Sequence, residues 1–279
     1  MERLKAALDK ARTEREGRTV GARGMRQRMR PGAAGAQDAE ALWADLEPLD
    51  LDRKRCARRR IVTASGGPEA APFDVLRTKT VQMAEANGWS RIAITSPLPA
   101  SGKTTTTLNL AFSLARLVEK RVIVLDLDMR RPSIAKALGC KSGRSTRAVL
   151  EGTETFARQA RRVGNNLAIS MNFTGARDPS DLFLRTTTDE MIERIEAVYR
   201  PDFMLFDMPP VLVNDDTSAF LHNVDAGLIV AEAGGSTIAQ IDSCEREVAA
   251  QTNVLGVVLN KCRYYSDGYA HYAYSYNYS

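Results

Sequence analysis

The segment Ser96-Pro97-Leu98-Pro99-Ala100-Ser101-Gly102-Lys103-Thr104-Thr105 follows a short apolar run and leads into a helical pattern. A loop in that position wraps phosphate oxygens with backbone N–H groups and aims a helix N-terminus at them. Gly102 lets the backbone approach closely, Lys103 suits terminal phosphates, and the Thr104 hydroxyl suits Mg²⁺. The spacing before Gly-Lys-Thr matches a Walker A loop, with Pro97 where the first glycine stands. The competing reading is an exposed loop with a surface lysine; placement between strand and helix favours the nucleotide.

Two acidic segments could complete such a site. Asp126-Leu127-Asp128-Met129-Arg130-Arg131-Pro132 closes one apolar run, and Phe203-Met204-Leu205-Phe206-Asp207-Met208-Pro209-Pro210 contains another. Carboxylates at strand tips beside a phosphate loop order Mg²⁺ waters or accept a hydroxyl proton. Four apolar residues ending in Asp207 form a Walker B pattern, which would hold Mg²⁺ indirectly. Each motif alone also fits a solvated turn or an ordinary strand end. The three in this order are far more specific.

The elements that must position these residues are legible as apolar runs. Arg91–Thr95, Arg121–Asp126, Leu167–Ser170, Phe203–Asp207, Gly227–Val230 and Leu255–Leu259 read as strands without polar alternation. Helical patterns cover Phe73–Ala86, Lys103–Glu119, Thr187–Tyr199 and Thr237–Gln251. The expected fold is α/β, a mostly parallel sheet with helices on both faces. Ligands of such sheets bind beyond the C-terminal strand ends, where the motifs fall.

With 279 residues, 44% hydrophobic and 26% charged, the chain can bury a substantial core. No apolar run approaches a membrane span, and the N-terminus lacks the apolar core of a secretory signal. Cys56, Cys140, Cys244 and Cys262 form no spaced cluster, which fits a reducing compartment better than zinc or disulfides. His222 and His271 are too separate for a catalytic or metal constellation. There is no internal repeat.

Charge and tyrosine are unevenly spread. Residues 1–60 hold 16 basic and 10 acidic side chains, whereas the remainder holds 23 and 24. A basic, largely disordered arm and linker is expected over 1–68, with little apolar content from Arg18 to Gln37, a short helix near Ala39–Leu46 and a dense basic run at 53–60. A solvated arm, attraction to an anionic leaflet and non-specific DNA contact all remain open for it. A nucleotide-binding domain is expected over 69–263. The tail, 264–279, holds Tyr264, Tyr265, Tyr269, Tyr272, Tyr274, Tyr276 and Tyr278, seven of the eight tyrosines. It could be a final strand, a sticky segment or a set of phospho-acceptors. With no Lys or Arg after Arg263, it lacks the phosphate partners of a nucleic-acid stacking surface.

The combination of PASGKTTTTLNLA, VIVLDLDMRRP and FMLFDMPPVL resembles the bacterial tyrosine kinases (BY-kinases), of the separate-chain CpsD/CapB-like or Wzc C-terminal-like type, within the broader MinD/ParA-type P-loop NTPases. The resemblance runs from about Glu69 to Tyr278. It takes in Asp178-Pro179-Ser180-Asp181-Leu182 and the run Gly256–Asn260 before the tyrosine-rich tail. It implies ATP and Mg²⁺ as cofactors, Lys103, Asp126, Asp128 and Asp207 as catalytic residues, and Thr104, Asp128 and Asp207 around the metal. Asp126 would be the base toward a tyrosine hydroxyl, Asp216 a further acidic position, and Asn260 the contact to adenine. The tail tyrosines would be the phospho-acceptors of an autokinase acting in exopolysaccharide or capsule polymerisation and export.

As partners the resemblance implies a membrane activator of the chain-length-determinant (polysaccharide co-polymerase) type, further copies of the chain and a cognate tyrosine phosphatase, with no specific nucleic acid. The expected location is cytoplasmic, peripheral at the inner face of the plasma membrane through that partner. Two positions depart from the family pattern. Ala100 stands in a loop that usually reads Pro-Gly-Glu-Gly-Lys. The ring-forming Glu-x-x-Arg-x-x-Arg helix aligns with Ala71, Asp74 and Arg77. An ATP-binding scaffold or switch with little kinase activity, and a MinD/ParA-like ATPase, stand as alternatives. Leu98, where MinD/ParA proteins carry a signature lysine, disfavours the second.

Overall fold

The computed structural model describes residues 33–262. The tail tyrosines, His271 and the first 32 residues of the expected arm lie outside the described residues. Eight strands are described: β1 Glu47–Pro48, β2 Arg91–Thr95, β3 Val122–Asp126, β4 Arg161–Val163, β5 Leu167–Ser170, β6 Phe203–Asp207, β7 Ala226–Glu232 and β8 Asn253–Asn260. They form one sheet in the order β1-β4-β5-β3-β6-β2-β7-β8. Every pairing is parallel except β4 with β5, which is antiparallel.

The helices are α1 Ala33–Ala44, α2 Arg53–Arg58, α3 Ala71–Asn87, α4 Lys103–Ala115, α5 Ile134–Leu138, α6 Thr146–Leu150, α7 Phe156–Gln159, α8 Pro179–Phe183, α9 Thr186–Tyr199, α10 Asp216–Phe220 and α11 Ile238–Ala249. Local signals account for several ends. Gly88, in the left-handed region at φ 70°, closes α3, and Thr237 with Gln240 forms a capping box that opens α11.

The pleat sends alternate side chains into two cores. Ala93, Ile123, Leu125, Met204 and Phe206 pack on one face. Ile92, Ile94, Val122, Val124, Phe203 and Leu205 pack on the other, with Leu108 and Leu114 of α4. All five residues in each of β2, β3 and β6 are buried. Burial on both faces explains the unbroken apolar runs.

The folded domain reaches further toward the N-terminus than the boundary expected at 68/69. Trp43 of α1 is buried and its Nε1 donates to the Tyr199 carbonyl at 2.8 Å. Leu46 is buried, and β1 pairs with β4 at the sheet edge. Cys56 and Ile61 enter the core beside α4, and Thr63 hydrogen-bonds Asn109 through its backbone N–H and its hydroxyl. Trp43, Leu46, Cys56 and Ile61 are diluted among charges, so no apolar period announces them. β1 and β4 escape sequence reading because they are two and three residues long.

No described helix is long and apolar enough to cross a membrane. The four cysteines are free thiols.

Candidate active site

β2 ends at Thr95, and the chain turns through 96–102 before α4 begins at Lys103. The turn is held by its own side chains: the Ser96 and Ser101 hydroxyls both donate to the Leu98 carbonyl, at 2.6 and 3.0 Å. Gly102 sits at φ 96° and Ala100 at φ 63°. A Cβ on Gly102 would lie 2.1 Å from Asn260 Nδ2. Only glycine satisfies both the dihedral and that approach. Ala100 adopts the left-handed backbone that a glycine would take without strain, at a cost of roughly 1–2 kcal/mol. The loop therefore holds an alanine in a conformation that favours glycine.

Asn260, at the end of β8, braces this loop by donating from Nδ2 to the Ser101 carbonyl at 2.9 Å. The resemblance implied an adenine contact. In the described structure its Nδ2 meets the phosphate loop, which places the side chain beside the expected nucleotide site.

The three motifs meet because their strands are neighbours. Asp126 and Asp207 are register partners on β3 and β6, and β6 also pairs with β2. Both carboxylates are fully buried. The Thr104 hydroxyl donates to Asp207 Oδ2 at 2.6 Å and Thr107 to Oδ1 at 3.2 Å. Thr104 also shares a 2.6 Å hydrogen bond with the Ser133 hydroxyl. Lys103 Nζ lies 3.9 Å from Asp128 Oδ2.

Three acids this close disfavour one another's charge. Burial pushes the Asp207 carboxyl up to about 6, opposed by Lys103 and by the Thr104 hydrogen bond. Burial, then the charges of Asp207 and Asp128, drive Asp126 well above the ordinary carboxylate range. Burial raises Asp128 as well, with Lys103 pulling the other way. Neither Asp126 carboxylate oxygen has a hydrogen-bond partner with good geometry among the described residues, although the backbone N–H groups of Ile134 and Asn172 lie near enough to offset part of its shift.

A cleft of about 450 Å³ opens above this group, lined by the loop residues Pro99, Ala100, Gly102, Lys103, Thr104 and Thr105, by Asp128, Arg130, Arg131 and Ser133, and by Pro209, Pro210, Val213 and Asn214. Asp128 faces the cleft; Asp126 and Asp207 lie beneath it. Asp126, expected as the base, is thus less accessible than Asp128. Arg130 reaches across with Nε and Nη2 to the buried Asp216 carboxylate at 2.7 and 3.0 Å, joining the β3 and β6 motifs.

Sequence reading missed Ser133, Thr107 and Asn172. Thr107 lies three residues beyond Thr104 and so shares its helix face. Asn172 donates to the Asp126 carbonyl at 2.7 Å, and no sequence signal singles it out. The ring-motif positions Asp74 and Arg77 are engaged within the chain: Asp74 accepts from the Ser113 hydroxyl at 2.6 Å and pairs with Arg116, and Arg77 donates to the Ser113 carbonyl at 3.4 Å.

The residues present fit a magnesium nucleotide. Clustered carboxylates with raised pKa values, two of their oxygens unpartnered, are suited to a divalent cation. Among the described residues no group of three His, Cys, Asp or Glu side chains could hold a metal alone. A cation here would need phosphate or water oxygens as well, the usual habit of Mg²⁺.

Residues 90–277 match the family model for ParA, described as NUBPL iron-transfer P-loop NTPase. The chain belongs to the ParA family of P-loop NTPases. Bacterial tyrosine-protein kinases are prominent among the similar proteins. Tyrosine-protein kinase YwqD of Bacillus subtilis is 26% identical over 219 residues, 76% of this ParA-family chain and 91% of that protein. Tyrosine-protein kinase wzc of Salmonella typhimurium is 28% identical over 185 residues, 66% of this chain and 25% of that protein. The chain spans only about a quarter of the length of several such relatives. The kinase domain of the Escherichia coli tyrosine kinase ETK superposes with a TM-score of 0.60 at 23% identity, over 72% of this chain and 80% of that one, and shares the fold.

Proposed function

We propose that the protein is a MgATP-dependent tyrosine autokinase that phosphorylates its C-terminal tyrosine cluster and regulates exopolysaccharide or capsule polymerisation and export. The observation that carries this reading is the convergence of Lys103, Thr104, Asp128 and Asp207 on one cleft, in a chain whose last described strand ends against the phosphate loop and leads into the tyrosine tail. The names of relatives such as YwqD and wzc support it.

A bound magnesium ion would supply neutralisation of the charge that develops on the phosphates. The loop N–H groups and Lys103 hold the phosphates. Thr104, whose hydroxyl meets Asp207 at 2.6 Å, would hold the metal with Asp207, and the unpartnered Asp126 carboxylate beside them would accept from its waters. Asp128, the carboxylate that faces the cleft, takes the proton from the acceptor tyrosine. The tyrosine oxygen forms its bond to the γ-phosphorus as the bond to the β-γ bridging oxygen breaks, and ADP leaves. Catalysis here is mainly positioning and charge neutralisation.

The proposal extends, on the resemblance to the bacterial tyrosine kinases, to a membrane activator and to a phosphatase that resets the tail. Incubating the purified chain with MgATP and probing for phosphotyrosine, with and without residues 264–279, tests the reading. Phosphotyrosine that disappears with the tail is expected. ATP binding with no phosphotyrosine would favour the scaffold reading instead.

A further inference from the structure

The basic run at 53–60 is not a solvated strand of charge but a rigid part of the surface. Asp52 caps α2 by accepting the Arg55 N–H at 3.0 Å. Cys56 plugs the helix into the core, and Ile61 follows it. Arg55 Nη2 donates to the Lys136 carbonyl at 2.8 Å, fastening α2 to α5. Asn109, in the middle of the phosphate-loop helix α4, donates from Nδ2 to the Arg60 carbonyl at 2.8 Å and accepts from Thr63.

Anchoring one side of so short a helix leaves the other to solvent. Arg53, Lys54, Ala57 and Arg58 fall on one contiguous face by helical geometry, and all four are exposed, as are Arg59 and Arg60 just beyond. None of these five cations has an ion-pair partner among the described residues. The exposed Lys136 on α5 adds to the patch. The only acids close in sequence are Asp50 and Asp52, and Asp52 is occupied as the cap.

We infer that the α2 face binds directly to an anionic membrane surface, recognising the phosphates of acidic lipid headgroups. Cations at this density on an anchored helix, without ion-pair partners among the described residues, lower their free energy most against a dense anionic plane. Between residues 45 and 72 there is no aromatic side chain for stacking on bases and no Asn or Gln for reading base edges, which disfavours nucleic acid as the partner. Among the described residues of 50–61 no large apolar side chain is exposed, so attachment through this face is electrostatic, peripheral and salt-sensitive.

The test uses the full chain and co-sedimentation with vesicles of phosphatidylglycerol in phosphatidylcholine, or of phosphatidylcholine alone. Binding to the acidic vesicles only is expected, weakening by roughly tenfold or more between about 0.05 and 0.5 M salt. The combined variant Arg53→Glu, Lys54→Glu, Arg58→Glu should lose at least roughly tenfold in partitioning. The milder Arg53→Gln, Lys54→Gln, Arg58→Gln set should lose less, with both retaining the wild-type unfolding transition. Reversal of three exposed cations that lie outside this basic run, Lys79, Arg185 and Arg194, changes the net charge equally and should leave most of the binding intact. Binding that survives reversal of the α2 face, equal binding to neutral vesicles, or tighter binding to duplex DNA than to acidic vesicles at the same salt would each overturn the inference.

Discussion

Asp126 and Asp207 stand side by side as register partners on β3 and β6, both without solvent exposure, and only Asp207 has hydroxyl donors. Two buried acids in adjacent register are a poor arrangement for stability and a good one for a cation. The site is built at the expense of the ligand-free fold, which its ligand then stabilises.

That relationship has a pH consequence. The Asp207 pKa is about 6 in the folded chain, against about 3.9 for an unfolded aspartate. The folded state therefore holds the proton more tightly, and this stabilisation is complete below about pH 4 and lost as pH rises through about 6. Asp207→Asn should abolish that part of the slope and stabilise the ligand-free chain at neutral pH by on the order of 1–3 kcal/mol. Denaturant unfolding in EDTA at pH 4.5 and 7.5 measures it. The same variant should lose Mg²⁺-dependent nucleotide binding; a destabilised ligand-free variant would contradict the account.

The two acids of the Asp-x-Asp element should separate in function. Asp128→Asn is expected to keep nucleotide binding within a few fold and to lower phosphotyrosine formation by roughly 10²–10⁴-fold, the usual share of a general base. Asp126→Asn should weaken the Mg²⁺ dependence instead. Titration with a fluorescent nucleotide over a range of Mg²⁺, beside a phosphotyrosine time course, distinguishes them.

The loop makes opposite predictions at two positions. Ala100→Gly relieves a left-handed alanine and should raise stability by up to about 1 kcal/mol without weakening nucleotide binding. Gly102→Ala sets a Cβ against Asn260 Nδ2 and should displace the Asn260–Ser101 brace and remove nucleotide binding, in a chain that still folds. Calorimetry with ADP and Mg²⁺ reports both.

Much of this site is legible in the sequence because its chemistry is local. Gly102-Lys103-Thr104 lies on one turn, Asp126 and Asp128 are two residues apart, and unbroken apolar runs set the strand order's central members. What escapes depends on contacts distant in sequence, among them the Ser101 partner of Asn260, a residue already singled out for another contact. Asn260 reaches Ser101 across 159 residues, and Asn172 reaches the Asp126 carbonyl across 46. The N-terminal extension is hidden for a related reason. Its charges suggest a solvated arm, whereas four widely spaced apolar residues, Trp43, Leu46, Cys56 and Ile61, attach it.

Trp43 tests that extension. It is buried, donates to the Tyr199 carbonyl and meets the Tyr199 ring edge-on with centroids 6.3 Å apart. Trp43→Ala should cost about 3–5 kcal/mol, as for a large core truncation. Thermal or denaturant unfolding would show it, and a loss below about 1 kcal/mol would mean that α1 is dispensable to the fold.

The proposed function rests on phosphoryl transfer from the Lys103 cleft to the tail. The most direct measurement is transfer of label from γ-labelled ATP to tyrosine in the purified full chain, mapped by mass spectrometry and compared with Lys103→Met. Label on residues within Tyr264–Tyr278 is expected in the wild type and none in the variant. Label that persists in Lys103→Met, or a wild type that binds ATP and labels no tyrosine, would contradict it.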